Sequence, residues 1–306
     1  MSQKYHDLDI QKISLKIGPY KITSLSTTSF GLDGGAMFGT VPKVLWSKTN
    51  PSDDQNRITM DCRCLLLESD DHKILIDTGL GGDFVEKYGP KLGPKFSKMY
   101  SIPAGEKSGI EKALEKLNLQ TSDITNVILT HLHFDHTGGS TKVRDGKLTP
   151  TFENAEYFIQ KDNLETALNP NLREKASYYK CNFEILAEKG MLTLLEGNQE
   201  ILPNISFSIS NGHTKGQQNV WVEDDENSLL YCADLIPTAT HIRLPWVMGY
   251  DLNPLLLIEE KKTELQKALN KNSFLFFEHD PYCSAAQIKA SENGSDFRLK
   301  ELFELS

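Results

Sequence analysis

The sequence lacks any long run of apolar residues. None of its hydrophobic stretches approaches the roughly 20 residues that an α-helix needs to span a bilayer. The opening residues, MSQKYHDLDIQKISLK, contain no apolar core of the kind that marks a secretory signal peptide. We therefore expect a cytoplasmic protein with no membrane partner, in which about the first ten residues form a loose tail.

Positive charge is also in short supply. The chain carries 33 lysine and arginine residues against 42 aspartate and glutamate residues, a net charge of −9 in 306 residues. Nucleic acids and anionic membranes attract proteins through basic surfaces, so this balance argues against both as partners. We expect a small, uncharged partner molecule rather than a polyanion.

Cysteines are few and odd in number. The chain has five, and an odd count in a chain of this length does not fit a disulfide framework. Cys62 and Cys64 would point to one face of a strand. A metal or redox role is open to them, but simple packing is favoured because no second cysteine pair lies nearby in the sequence.

No internal repeat, low-complexity segment or linker divides the chain. Apolar runs such as KILIDTG and ITNVILT predict strands, and KDNLETAL and PLLLIEEKKTELQKAL predict amphipathic helices. Many of the strand runs are apolar on both faces, which is typical of sheets buried between layers. These patterns predict a single domain over residues 1–306, with two sheets flanked by helices. The last pattern, FRLKELFEL, predicts a closing helix.

Histidine is rare, at eight residues, yet three histidines and an aspartate crowd into THLHFDHTGG. Imidazole and carboxylate groups at this spacing are typical ligands of zinc or a similar divalent metal. His131 and His133 point the same way in an extended segment, whereas Asp135 and His136 follow on the turn. One loop can therefore offer two ligands to each of two metals, and the Gly-Gly pair lets the backbone bend sharply.

Further ligand-type residues follow the ends of apolar strands. One comes after ISFSIS, one ends SLLYCAD and one ends SFLFFEH. Strand ends gather ligands at one edge of an open α/β sheet, so these residues can join the histidine cluster. The sequence therefore predicts two divalent metal ions, with Zn²⁺ as the expected metal, and seven candidate ligands: His131, His133, Asp135, His136, His213, Asp234 and His279.

These motifs resemble those of the metallo-β-lactamase superfamily. THLHFDHTGG is similar to its HxHxDH signature, and ILIDTG, NGHTKGQ, YCADL and FFEHD are similar to its other motifs, in the same order. The resemblance implies an α+β fold, the αββα four-layer sandwich. It also implies a division of the ligands: His131, His133 and His213 for the first metal, Asp135, His136 and His279 for the second, and Asp234 as the bridge.

The segment LDGGAMFGTVPKVLWSK at 32–48 resembles the branch that contains quorum-quenching lactonases and methyl parathion hydrolase-like enzymes. From the residues alone it is a glycine-rich loop. Its hydrophobic residues either line a cavity or fill the core, and periodicity does not decide between the two. They are Met37, Phe38, Val41, Leu45 and Trp46. Gln217 stands where many relatives have a second histidine, outside the seven ligands.

Three other polar residues lie near these motifs. Asp77, in LIDTG, resembles a family acid that orients the histidine loop. His241 is expected to be a partly exposed loop residue rather than part of a pocket. Asp280 is expected either to support His279 or to form a turn.

The ligand set and the resemblance together imply a metal-dependent hydrolase that acts on ester bonds. Two close metals lower the pKa of a bridging water, and the resulting hydroxide can attack a carbonyl carbon. Asp135 could donate a proton to the leaving group. The expected reaction opens a lactone ring, above all that of an N-acyl-homoserine lactone, and the expected assembly is a homodimer.

Three alternative functions are open at this point. A phosphotriesterase of the methyl parathion hydrolase-like type would share the 32–48 segment and could use the same metals. A di-iron oxidoreductase usually carries a flavin domain and tends to have glutamate in place of His133. A non-catalytic metal-binding module needs only four ligands rather than seven.

Overall fold

The computed structural model of the chain describes residues 8–102 and 109–306. These residues group into two compact units. Unit 1 contains residues 8–18, 31–60 and 198–306, and unit 2 contains residues 19–30, 61–102 and 109–197. Most of the expected N-terminal tail lies outside the described residues, and the first strand begins at Ile10. The single-domain organisation stays a prediction.

Sixteen strands lie within the described residues. In chain order they are β1 (Ile10–Ile13), β2 (Leu15–Ile17), β3 (Tyr20–Asp33), β4 (Arg57–Glu68), β5 (Lys73–Ile76), β6 (Asn126–Ile128), β7 (Thr141–Arg144), β8 (Lys147–Pro150), β9 (Glu156–Gln160), β10 (Leu192–Leu195), β11 (Ile205–Ser210), β12 (Gln217–Glu223), β13 (Ser228–Tyr231), β14 (Phe274–Phe276), β15 (Ala285–Ala290) and β16 (Phe297–Leu305).

Nine α-helices occur in the same described ranges, and the last is the longest. The side chain of Asn253 caps it by accepting a hydrogen bond from the N–H of Leu256, and Asn272 ends it in the left-handed conformation. The helices are α1 (Gly34–Phe38), α2 (Lys43–Trp46), α3 (Phe84–Lys87), α4 (Gly89–Tyr100), α5 (Gly109–Glu115), α6 (Phe134–Thr137), α7 (Lys161–Leu168), α8 (Glu184–Glu188) and α9 (Pro254–Lys271). The helices predicted for KDNLETAL and PLLLIEEKKTELQKAL are confirmed by α7 and α9.

Unit 1 contains a seven-stranded mixed sheet in the order β1-β16-β15-β14-β13-β12-β11. β13 and β14 are parallel, with Tyr231 opposite Phe276, so their carboxyl ends lie side by side. The apolar face of α9 buries Leu257 and Leu265 in one core cluster with Leu230 of the sheet. This packing places the helix next to the strands whose ends carry ligand-type residues.

Unit 2 contains strands of a second mixed sheet in the order β10-β9-β6-β5-β4-β3, and β7 pairs with β8 in a separate hairpin. β5 and β6 are parallel, with Ile76 opposite Ile128. Leu75 and Val127 join Ile110 of α5 in a buried cluster. The carboxyl ends of β5 and β6 therefore lie together, and the histidine loop begins there.

The closing helix predicted for FRLKELFEL is wrong. The segment is strand β16, which pairs antiparallel with β15 and parallel with β1. Phe297, Leu302 and Phe303 are buried in the sheet. Lysine, glutamate and leucine favour a helix locally, but pairing with strands on both sides overrides that preference.

The glycine-rich loop predicted at 32–48 contains two short helices, α1 and α2. Met37, Phe38 and Trp46 are buried, and the Phe38 and Trp46 rings stack with centroids 5.3 Å apart. A Cβ atom at Gly34 would lie 2.4 Å from the Trp46 ring, so glycine permits this packing. Core packing is therefore confirmed for Met37, Phe38 and Trp46, whereas Leu45 is exposed.

Candidate metal centre

The histidine loop of unit 2 is pressed tightly against the segment that follows β5. A Cβ atom at Gly138 would lie 2.0 Å from the carbonyl oxygen of Leu80, and one at Gly139 would lie 2.2 Å from that of Thr78. The backbone N–H of Thr78 also donates a hydrogen bond to the carbonyl of His136, at 2.8 Å. The Gly-Gly pair is therefore required by close backbone approach.

The four ligand-type side chains of this loop are buried and form two close pairs. Nε2 of His131 lies 3.1 Å from Nδ1 of His133. Nε2 of His136 lies 3.9 Å from Oδ1 of Asp135. Within each pair, the two ligand atoms are near enough to bind a common ion.

Asp77 is the support of the histidine loop in unit 2. It is completely buried at the end of β5, with a φ of 57° that few non-glycine residues adopt. Its carboxylate accepts hydrogen bonds from the N–H and the hydroxyl of Thr130, both at 2.7 Å, and lies 3.0 Å from Nδ1 of His136. A carboxylate there keeps a proton on Nδ1 and makes Nε2 the metal-binding atom.

Asp234 and His279 follow the carboxyl ends of the parallel strands β13 and β14 in unit 1. The two oxygens of Asp234 contact different imidazoles. Oδ2 lies 3.1 Å from Nε2 of His213, and Oδ1 lies 3.2 Å from Nε2 of His279. All three side chains are buried. Asp234 thus contacts two imidazoles at once.

Asp251 orients His213, although no sequence pattern predicted this role. Its Oδ1 lies 2.9 Å from Nδ1 of His213, and its Oδ2 accepts a hydrogen bond from the N–H of Met248 at 2.7 Å. Burial alone would lower the pKa of His213, but the carboxylates of Asp234 and Asp251 outweigh it and raise that pKa to about 10. Asp251 lies in VMGYDLNP, where neither periodicity nor a strand end marks it.

The residues of each unit fit a divalent metal ion. Both units offer buried imidazole nitrogens beside carboxylate oxygens, with no thiolate in either set. His136 and His213 each have a carboxylate at Nδ1, which is the usual support of a metal-binding histidine. This donor set suits zinc and similar borderline ions.

Two further polar residues, His241 and Asp280, lie within hydrogen-bond distance of other groups of unit 1. His241 is buried rather than partly exposed, with Nε2 2.9 Å from the carbonyl oxygen of Met37 and Nδ1 2.7 Å from the hydroxyl of Thr238. Burial lowers the pKa of His241 to about 3, so the ring is neutral. Asp280 accepts a hydrogen bond from the N–H of Ala239 and from two backbone N–H groups that follow it, so it forms a turn.

Residues 58–279 match the sequence profile of the metallo-beta-lactamase superfamily. The chain belongs to this superfamily. Among curated relatives, the N-acyl homoserine lactonase AiiA of Bacillus thuringiensis subsp. kurstaki is 27% identical over 221 residues, 71% of this chain and 80% of that protein. A probable metallo-hydrolase of Mycobacterium tuberculosis is 25% identical over 73% of this chain and 76% of that protein.

Two solved structures are also similar to this chain. A probable metal-dependent hydrolase from Staphylococcus aureus is 31% identical, with a TM-score of 0.80, and covers 94% of this chain and 99% of its own. AidC, a dizinc quorum-quenching lactonase, has a TM-score of 0.74 at 19% identity, over 95% and 97% of the two chains, which is a likeness of fold.

These similarities confirm the predicted α+β fold of the metallo-β-lactamase type and identify the protein as a hydrolase of this superfamily. They also confirm the sequence-based resemblance to its lactonase members. Among the described helices, none is both long and apolar enough to cross a membrane.

Proposed function

We propose that the protein is a di-metal lactonase that opens the ring of an N-acyl-homoserine lactone. The observation that carries the metal part is the two-sided contact of Asp234 with His213 and His279. The lactone part is supported by curated relatives such as the N-acyl homoserine lactonase AiiA, which is 27% identical. The net charge of −9 agrees with a neutral substrate.

The proposed ligands form two sets that share one residue. The pairs in unit 2 and the two-sided contact in unit 1 support this division, which is also the one that the family resemblance implies. The sets are His131, His133 and His213 for one ion, Asp135, His136 and His279 for the other, and Asp234 for both. We expect Zn²⁺, and two such ions, when bound, polarise a carbonyl oxygen and lower the pKa of water.

The side chains of the chain itself hold and move protons. Asp77 and Asp251 keep the protons of His136 and His213 on Nδ1, which directs the Nε2 atoms toward a metal. Asp135 takes the part of proton donor: a proton released by the attacking water passes from its carboxyl oxygen to the leaving alkoxide. The product is the ring-opened hydroxy acid.

The acyl chain of such a substrate needs a nonpolar surface. The largest hydrophobic residues of the 32–48 segment do not supply it, because they are buried in unit 1. In unit 2, Phe134 lies between two proposed ligands in the sequence; it is buried, and its ring packs on Tyr100 at 5.1 Å and on Tyr179 at 6.0 Å between centroids. Tyr100 and Tyr179 are only partly buried, and they are the surface that we assign to the acyl chain.

A substrate comparison on one metal-loaded preparation tests this function. We expect the highest kcat/KM for a medium-chain N-acyl-homoserine lactone, above simple γ-butyrolactones and an aryl phosphotriester, with the ring-opened acid as the product in mass spectrometry. The chelator-treated protein is the control. A phosphotriester preferred by more than about a hundredfold, roughly 2.7 kcal/mol of transition-state discrimination, would contradict the lactonase assignment. So would the absence of lactone hydrolysis.

The cytoplasmic location, the homodimer and the absence of nucleic-acid and membrane partners stay predictions. Sedimentation of the purified protein measures the assembly directly.

A further inference from the structure

Helix α9 carries a lysine whose side chain is completely buried. Nζ of Lys261 donates hydrogen bonds to three backbone carbonyls, those of His241 at 3.1 Å, Arg243 at 3.0 Å and Trp246 at 2.7 Å. Burial lowers the pKa of Lys261 to about 7, because an ammonium group is costly to remove from water. An apolar side chain would fill the same space without that cost, so the contacts point to a specific role.

The three carbonyls belong to the segment that leads to Asp251. This segment begins in the 3₁₀ turn Ala239–Ile242 and contains no strand or α-helix before α9. Its backbone therefore depends on partners from elsewhere. Toward its far end, Met248 and Asp251 bond to each other. Lys261 thus fixes the first part of the segment whose second part carries the carboxylate on His213.

Glu260, the residue before Lys261, holds the segment that carries His213, the contact partner of Asp251. The carboxylate of Glu260 accepts three hydrogen bonds, at 2.7, 2.8 and 3.0 Å, from the three residues that precede His213: Ser210, Asn211 and Gly212. A Cβ atom at Gly212 would lie 2.5 Å from Cα of Leu257, so the turn rests directly on α9. Two adjacent residues of one helix therefore hold the two segments that carry His213 and Asp251.

We propose that Glu260 and Lys261 are paired positioning residues that set the contact between Asp251 and His213. The two segments also bond to each other, since the N–H of Leu252 donates to the carbonyl of His213 at 3.2 Å. Held in this way, the Asp251 carboxylate stays at Nδ1 of His213, and Nε2 stays directed at Asp234. The inference rests on the proposed role of His213 as a metal ligand.

Zinc affinity is the measurement that tests this inference, and it needs no substrate. Lys261→Met removes all three hydrogen bonds of Nζ, and Glu260→Gln replaces one of the two accepting oxygens of Glu260 with an NH₂ group. Lys262→Met and Glu259→Gln change exposed neighbours on the same helix. We expect the first two to weaken zinc binding about 10- to 100-fold in chelator competition, as supports of metal-binding histidines do. The two controls should bind zinc as the parent does. Near-UV circular dichroism confirms that each protein is folded.

A double-mutant cycle separates positioning from general stabilisation. If Lys261 acts through Asp251, Lys261→Met should have little further effect on zinc affinity in an Asp251→Asn background. The same loss in both backgrounds, or parental affinity in both Lys261→Met and Glu260→Gln, would overturn the proposal. If Lys261→Met does not fold, Glu260→Gln in the two backgrounds decides the question. A parent protein that binds no zinc would contradict the proposed metal centre itself, and the inference would fall with it.

Discussion

The two units present their ligand-type residues by the same device but differ in how the residues are spread along the chain. In both, ligand-type residues follow strands of a parallel pair: the histidine loop follows β6, beside β5, in unit 2, and Asp234 and His279 follow β13 and β14 in unit 1. His213 of unit 1 follows a third strand, β11. Unit 2 supplies four side chains from the six residues 131–136, whereas those of unit 1 come from three separate segments between 213 and 279. One arrangement is local, and the other exists only after the sheet has formed.

The supports of the two imidazoles differ in the kind of segment that carries them. Nδ1 of His136 contacts Asp77, which belongs to the end of a sheet strand. Nδ1 of His213 contacts Asp251, which comes from an irregular segment held by α9. Both supports are distant in the sequence, since Asp77 lies 59 residues from His136 and Asp251 lies 38 residues from His213. The units therefore differ in their ligands, which are neighbours in unit 2 and come from separate segments in unit 1, and in the regular or irregular segment that carries each support.

The largest effects should come from removing one ligand in each unit. His131→Ala in unit 2 and His279→Ala in unit 1 should each reduce bound zinc and lactone turnover together, by more than the about 10- to 100-fold that loss of a supporting residue causes. Elemental analysis and kcat/KM measure both. His72→Ala, in the hairpin between β4 and β5, is the control. A variant that keeps both ions and parental activity would remove that residue from the proposed ligands.

A second substitution separates ligation from proton transfer within unit 2. Asp135→Asn should lower turnover about 10²- to 10⁴-fold, the usual contribution of a general acid, while total bound zinc falls less. The reason is that Asp135 is assigned both metal binding and proton donation, and asparagine lacks the carboxyl group that donates the proton. Equal and complete loss of both metals would leave the proton-donor role without support.

The next prediction compares Asp77 and Asp251, the carboxylates that support His136 and His213. Asp77→Asn and Asp251→Asn should each lower zinc affinity about 10- to 100-fold. Asp77 accepts two hydrogen bonds from Thr130 and contacts His136, so Asp77→Asn should also lower the free energy of unfolding of the zinc-free protein by about 1–3 kcal/mol. Asparagine tolerates the left-handed backbone there, so the loss reports the contacts. If urea unfolding showed a larger loss of unfolding free energy for Asp251→Asn than for Asp77→Asn, our comparison of the two units would be reversed.

The smallest effect concerns the pH dependence of the zinc-free protein. The pKa of His213 is raised from 6.5 to about 10, so its ion pairs stabilise the fold fully below pH 6.5 and are lost as pH rises toward 10. The free energy of unfolding of the parent should therefore fall over this window relative to Asp234→Asn, which lacks the larger charge partner. Parallel pH profiles of the two proteins would show that Asp234 does not raise the pKa of His213.

The local features of unit 2 could be predicted from the sequence. The histidine loop, its Gly-Gly bend and the strand that precedes it are all visible within a dozen residues. The prediction of a C-terminal helix was wrong because the conformation of that segment depends on strands distant in the sequence. β16 is a strand because it lies between β15 and β1, and β1 comes from the other end of the chain.

The supports of unit 1 could not be predicted for the same physical reason. Asp251 lies 38 residues from His213 and follows no apolar strand, so nothing near it in the sequence indicates its partner. Glu260 and Lys261 look like ordinary charged residues of an amphipathic helix. Their contacts with the segments before His213 and Asp251 depend on how α9 packs, which local periodicity does not specify.

The most direct test of the central claim is a crystal structure of the zinc-loaded protein with anomalous diffraction at the zinc edge. We predict two zinc ions, one bound by His131, His133 and His213 and the other by Asp135, His136 and His279, with an oxygen of Asp234 on each. A single ion, or two ions with Asp234 bound to neither, would contradict the account.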